Sequence, residues 1–323
     1  MWKIPKQVVI DLTLFHKKIG RRVILFTFLP ILFFYFLPKP KILPDSYIGK
    51  DVTTILKVMP KNDRKKLEYF FQELIAWGNF GYVIFGEKPM ALEIVEERIN
   101  PLESFSSFRH YLMPRRIKFN RGFTTWKKYE KFFKMKRFIF TYEGYNKNPM
   151  LVLINKSSFI ILINKNKEYF NYLLKRNIEA EDLLEEAKTT PLISNLLMNH
   201  DALLGILLGY GKENSYLFHL KSQLTSEKEI FDFCEKFQFD SVWTPTEFEE
   251  FRKKFETINW ISNYITGAHM KNLELMALPG FGGVFSSSET QYLRKHYLET
   301  KNLIIEFYKD KNFLEETLKI LTS

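Results

Sequence analysis

A single cysteine, Cys234, stands among 323 residues, so the chain can form no internal disulfide. The same scarcity leaves no cysteine for lipoprotein-type lipidation near the amino terminus. Histidine numbers only six, and His16, His269 and His296 have no partner at ligand spacing. There is no phosphate loop. GYGKEN (209–214) has Ile206 where a glycine is required, has no Ser or Thr after Lys212, and leaves a helix instead of a strand. Ser286, Ser287 and Ser288 lack a spaced partner that would mark a nucleophile. No internal repeat is visible, and no run of like charge is long enough for a disordered tail.

Long apolar runs are also scarce, with one exception. Residues 23–37, VILFTFLPILFFYFL, are unbroken by any charge. Lys3, Lys6, Lys17, Lys18, Arg21 and Arg22 precede the run, against one acid, Asp11. A helix of that length spans roughly 22 Å, short of a hydrocarbon core of about 30 Å. Its flanks separate a cleaved signal from an anchor. A signal needs small residues just beyond the core, whereas the chain continues PKPKILPDSY. Arg21, Arg22, Lys39 and Lys41 can snorkel and lengthen the span. Residues 1–44 therefore read as a basic segment, an uncleaved membrane anchor and a proline-rich connector. The positive excess upstream predicts a cytoplasmic amino terminus and a body, 45–323, on the outer, periplasmic side of a single-pass protein.

The net charge of +11 is unevenly spread. Residues 1–50 carry +7 and residues 108–137 carry +10, which leaves the remainder at −6. A hydrophobic content of 46% with 16% aromatics excludes a disordered body. Some 280 residues beyond the anchor suffice for one large or two small domains.

The fold class predicted is α+β. Residues 38–60, with Pro38, Pro40, Pro44 and Pro60, read as a stiff connector. Leu67, Phe70, Phe71, Leu74 and Ile75 then make a helical stripe that Gly78 and Asn79 stop. FGYVIF (80–85) and MALEIV (90–95) flank turn residues as a hairpin. KRFIFTYEGY, MLVLIN and FIILIN (136–164) complete an antiparallel sheet of about five strands. The continuous apolar character of LVLI predicts that both faces are covered. The half after residue 165 is mainly helical and could be a subdomain. Its candidates are AEDLLEEAK, LISNLLMNHDALLGILLGYG, EKEIFDFCEKF and EFEEFRKKF. Gly205 and Gly209 suit close helix packing. LPGFGGVFSS (278–287) reads as a loop whose glycines allow unusual backbone angles. Ser288 and Gln291 form a capping-box pattern opening a helix through Tyr308.

The best-defined chemical feature is the strip 108–137. Arg109, Arg115, Arg116, Lys118, Arg121, Lys127, Lys128, Lys131, Lys134, Lys136 and Arg137 alternate with aromatics. Thr124 or Thr125 can cap a helix that puts Trp126, Tyr129, Phe132 and Phe133 on one face. Three destinations suit that face: the protein core, an anionic membrane surface with aromatics among headgroups, or nucleic acid with aromatics stacked on bases. A body outside the cytoplasm makes nucleic acid the less available partner. The binding set is Arg109, Arg115, Arg116, Lys118, Arg121, Trp126, Lys127, Lys128, Lys131 and Lys134.

Catalytic signals are thinner. His200-Asp201 invites comparison with metal-dependent phosphohydrolases, and His219 and His110 are the available companions. Asp201 equally suits the amino terminus of a helix. No metal or cofactor is expected.

FGYVIFGEKPMAL (80–92), ALLGILLGYGKENSYLF (202–218) and LPGF followed by ET before a Tyr-rich helix (278–297) occur together. In these segments the chain resembles an uncharacterised family of membrane-anchored proteins from chlamydia-like intracellular bacteria. The likeness covers most of the body and implies a bacterial envelope setting. It carries over no catalytic residue. The reading is a membrane-anchored binding module that contacts a protein partner or an anionic membrane surface. An acid–base or metal-dependent hydrolase and a nucleic-acid-binding protein are the alternatives.

Overall fold

The computed structural model describes residues 43–95, 107–145, 148–223, 259–261, 273 and 276–323. The apolar run 23–37, the helices expected at 227–237 and 247–255, and Cys234 lie outside the described residues. Among the described residues no helix is long and apolar enough to cross a membrane. The chain divides into Met1–Pro44 and Asp45–Ser323; everything below concerns the second unit.

Helix α1 (Val52–Val58) lies inside the stretch expected to be connector. Asp51 accepts from the Thr54 amide at 2.8 Å, and Val52, Ile55 and Leu56 are buried at i, i+3 and i+4. The prolines bound this helix instead of stiffening an extended segment. Helix α2 (Lys61–Ala76) follows with the expected buried stripe, Leu67, Phe70, Phe71, Leu74 and Ile75. It ends at Trp77, and Asn79 turns the chain in the left-handed region.

FGYVIF is a helix, α3 (Phe80–Phe85), not a strand. A short run apolar on all sides does not reveal its period. Phe80, Gly81, Tyr82, Val83 and Ile84 are all buried, as in a helix enclosed on every face. FIILIN is likewise helical, in α5 (Lys156–Lys165). Asn155 caps it by accepting from the Ser158 amide at 3.3 Å. Phe159 and Ile163, four apart, are buried, while Ile161 between them is 68% exposed. Among the described residues the sheet accordingly has three strands, not five. They are β1 (Met90–Ile94), β2 (Phe138–Tyr145) and β3 (Asn148–Asn155), in the order β1-β3-β2 and antiparallel throughout. Val152 of central β3 pairs with Leu92 on one side and Thr141 on the other. Leu151, Val152, Leu153 and Ile154 have no exposure, so both faces are covered, as the continuous apolar run predicted.

Helix α4 (Ser107–Tyr129) carries most of the basic strip, which continues through a 3-10 turn at Glu130–Phe132 into the segment before β2. Thr124 and Thr125 are therefore interior, donating to the carbonyls of Asn120 and Arg121 one turn back, and cap nothing. Gly122 lets α4 press on α2: a Cβ there would stand 2.5 Å from the Phe70 Cβ.

Beyond the sheet come α6 (Lys167–Leu174), α7 (Ala180–Glu186) and a π-helical turn at Leu192–Leu196. The helix expected across 192–211 is broken by Met198 and Asn199, both with positive φ, and restarts as α8 (Asp201–Leu207). Gly205 abuts Ser215 on α9 (Lys212–Gln223), the close packing its position suggested. Gly209 instead lies beyond α8 with φ +74°. LPGFGG contributes a strand, β5 (Phe281–Gly283), paired with β4 (Asn259–Ile261). Its glycines admit neighbouring side chains, Phe218 against Gly282 and Asn214 against Gly283, instead of supplying left-handed angles. Helix α10 (Ser288–Tyr308) is capped by Ser287, one residue earlier than the pattern indicated, through the Thr290 amide at 3.2 Å. Helix α11 (Phe313–Thr322) closes the chain. One apolar cluster joins Met90, Val152 and Ile154 of the sheet to Phe159, Phe170, Leu183, Leu203, Leu217 and Val284 of the second half.

Candidate functional site

Along α4 and its continuation the side chains sort by chemistry. Trp126, Tyr129, Phe132 and Phe133 are buried, packed on α2 and the sheet. The Trp126 ring meets Phe71 edge-on and stacks on Phe133, and its Nε1 donates to the Tyr142 hydroxyl at 2.8 Å. Of the three destinations open to this face, the aromatics occupy the core. Arg116, Lys118, Arg121, Lys127, Lys131, Lys134, Lys136 and Arg137 are all exposed.

Some of the cations engage acids of the same chain. Lys128 and Tyr129 both donate to Asp63 Oδ2, at 2.9 and 2.8 Å. Partial burial pulls the Asp63 carboxyl up, but these bonds outweigh it and hold the group below the usual carboxylate range. Lys131 pairs with Asp45 at 2.6 Å, and Lys127 with Glu130 at 2.9 Å. Exposed pairs of this kind contribute little to stability. Arg109 and His110 lie in the first turn of α4, at positions whose side chains fall outside the described residues.

Arg115 turns the other way. Its Nε donates to Glu73 Oε2 at 2.6 Å, and its guanidinium lies 4.5 Å from the centre of the Trp77 ring. Glu73 is 4% exposed. With Glu93 of β1, Ile94, Arg116, Phe119 and Asn120, these residues line a cleft of about 270 Å³. Burial raises the Glu73 pKa against the pull of Tyr69 and Arg115. Burial also pushes Glu93 up to about 7, with Arg115 opposing. Sequence reasoning missed both glutamates. The available signal was a charge beside the apolar stripe of α2 and another inside an apolar strand.

The histidine candidates do gather. His200 precedes α8 and His219 lies on α9, with ring centres 4.4 Å apart. His219 Nδ1 stands 3.9 Å from Asp201 Oδ2, an ion-pair distance longer than a hydrogen bond. Burial, then the neighbouring His219, drives His200 down to about 4. Burial lowers His219 also, with Asp201 opposing. Asp201 is exposed in the first turn of α8, and His200 makes no side-chain cap. Among the described residues no group of three or more His, Cys, Asp or Glu side chains could hold a metal ion.

The segments 80–92, 202–218 and 278–297 meet in space. Lys88 is 3% exposed, and its ammonium donates to the Leu208 carbonyl beneath the Tyr210 ring. Burial lowers its pKa to about 7. Tyr297 donates to the Gly209 carbonyl, and Asn214 Oδ1 accepts from the Thr290 hydroxyl at 3.1 Å. Glu289 accepts from the Asn214 amide at 2.9 Å and so caps α9 from the first turn of α10.

No family model matches the chain, and no curated protein or solved structure matches it significantly.

Proposed function

We propose that this is a membrane-tethered, non-enzymatic binding module that holds an anionic lipid surface against the outward cations of α4 and the segment after it. The observation carrying this reading is the exposed row of eight Lys and Arg residues between Arg116 and Arg137, above aromatics buried in the core. Because Trp126, Tyr129, Phe132 and Phe133 are held inside, contact is electrostatic and involves no inserted ring. Phe119, Trp126, Tyr129, Phe132 and Phe133 are buried and closed to base stacking, which weighs against single-stranded nucleic acid. The apolar run 23–37 supports the tether, and its basic flank supports a body on the outer side.

Each exposed cation near an anionic leaflet contributes about 1 kcal/mol, and the contribution is screened over about 10 Å at 0.1 M salt. The test reconstitutes the full chain in neutral vesicles and adds fluorescent vesicles that contain phosphatidylserine. Clustering that fades with salt and disappears in Arg116→Glu/Lys118→Glu/Arg121→Glu is the expected result. Equal clustering of neutral vesicles, or none at low salt, refutes the reading. A cysteine placed beyond residue 45 that reacts only from the cytoplasmic side refutes the orientation.

A second reading, an acid–base hydrolase, draws on the 4.4 Å approach of His200 to His219 beside Asp201. It predicts hydrolysis of p-nitrophenyl phosphate that His219→Ala abolishes.

A further inference from the structure

The cleft between α2, β1 and the amino-terminal half of α4 contains an acceptor that the fold leaves unused. Glu73 is 4% exposed and gives one oxygen, Oε2, to Arg115. Its other oxygen, Oε1, is buried with no partner at hydrogen-bond geometry among the described residues, although Tyr69 also draws the carboxyl's pKa down. A buried charged acceptor without a partner costs more than an ordinary lost hydrogen bond, so its persistence beside an open cleft calls for a donor from outside. Glu93 reaches the same cleft from β1, over Gly78, where a Cβ would stand 3.1 Å from Glu93 Oε2.

The charges select the ligand. Arg115 already neutralises Glu73 and Arg116 adds a second guanidinium to the lining, so a cation entering the cleft would meet net positive charge. An anion would be drawn to Arg116 but could give no hydrogen to the acceptor Glu73 Oε1. A neutral hydroxyl can donate to Glu73 Oε1 and accept from the protonated Glu93 carboxyl. Trp77, Phe119 and Ile94 supply apolar wall. A volume of about 270 Å³ sits at the small end of ligand pockets, which run roughly 300–1,000 Å³, and so suits one ring and not a chain.

We infer that this cleft binds a neutral, polyhydroxylated small molecule of the monosaccharide class, with Glu73 accepting from one hydroxyl and Glu93 donating to another. The site shares Arg116 with the cationic surface, but its acceptor and donor, Glu73 and Glu93, belong to α2 and β1.

Titration of Glu93 is governed first by its burial, with Arg115 from α4 opposing the rise and Glu73 from α2 adding to it. With its pKa about 7, Glu93 is mostly protonated at pH 6 and mostly ionised at pH 8.5, which removes the donor. The test is isothermal titration of the full chain, in a detergent without sugar headgroups, with glucose, mannose, galactose and N-acetylglucosamine. Saturable binding of at least one sugar at pH 6 is expected, weakening about thirtyfold at pH 8.5 as the protonated fraction falls. Glu93→Gln, which keeps a neutral donor at every pH, should bind equally at both. Glu73→Ala should lose binding; should that variant unfold, Glu93→Gln still decides. No saturable heat from any of the four sugars at pH 6 overturns the inference. So does binding that falls at pH 8.5 in Glu93→Gln as it does in the parent.

Discussion

The Lys88 ammonium lies 4.5 Å from the centre of the Tyr210 ring while donating to the carbonyl of Leu208, two residues before that tyrosine. One buried cation thus ties the turn before β1 to the turn between α8 and α9. Tyr297 adds α10 to the same knot through Gly209. The ring face and the carbonyl favour the charged lysine and burial opposes it; burial wins, and the pKa falls to about 7.

That shift predicts a stability profile. Folded Lys88 releases its proton near pH 7, whereas an unfolded lysine holds it to about pH 10.4. In that interval the unfolded chain binds more protons, so stability rises with pH. The gain between pH 7 and 9.5 is about 3 kcal/mol. Urea denaturation across this range should show the rise in the parent and its loss in Lys88→Met.

Glu289 and Gly211 make a pair that mutagenesis can separate. Gly211 has φ +89°, and a Cβ there would collide with the Glu289 carboxyl group. Gly211→Ala should therefore cost about 2 kcal/mol or more, from backbone strain and the displaced cap together. Glu289→Ala alone should cost about 1 kcal/mol. The double variant should cost less than the sum, because the collision disappears with the carboxylate. Additivity within about 0.5 kcal/mol in a double-mutant cycle would contradict the geometry.

The sorting of α4 has an energetic signature. Trp126 is 2% exposed, and Trp126→Ala should cost about 3–5 kcal/mol. Lys127→Ala, its exposed neighbour, should change stability by less than about 0.5 kcal/mol. Comparable small effects at both positions in chemical denaturation would put the tryptophan outside the core.

Acid stability should reflect two opposed groups. His200, with a folded pKa about 4 against 6.5 unfolded, makes stability fall as pH drops from 6.5 towards 4. Glu93, with a folded pKa about 7 against 4.5 unfolded, acts with the opposite sign. Its contribution is full below pH 4.5 and lost as pH rises to 7. The parent should accordingly show a shallow profile between pH 4.5 and 6.5. His200→Asn should make stability decline with rising pH across that window, and Glu93→Gln should make it climb. Identical melting-temperature profiles in the two variants would contradict both shifts.

Much of the local structure was legible. The stripe of α2 is written in residue spacing, because a helix exposing one side must repeat its apolar residues every three or four positions. The covered faces of β3 are written in four consecutive apolar residues. FGYVIF and FIILIN were misread because a short, wholly apolar run has no period to read, and what surrounds it decides. In α5, the exposure of Ile161 between buried Phe159 and Ile163 becomes visible only once the neighbours are in place.

The candidate sites divide in the same way. The row of Arg and Lys from Arg109 to Arg137 was visible as composition, and His200 with Asp201 as a dipeptide. The position of His219 beside them follows from the packing of α9 on α8, which the close contact of Gly205 with Ser215 sets. Glu73 and Glu93 looked like ordinary surface acids, since their burial comes from α4 closing over α2 and β1.

By itself the sequence determined the mixed helix-and-sheet class, the antiparallel pairing of β2 with β3, and the concentration of positive charge in one strip. Short turns and side-chain periodicity encode all three locally. Only the tertiary structure decided that the strip's aromatics face inward, that Lys88 is buried beneath Tyr210, and that an unpaired carboxylate oxygen of Glu73 borders a cleft. Burial and partner choice are set by residues distant in the chain, and a linear pattern does not contain the distances between them.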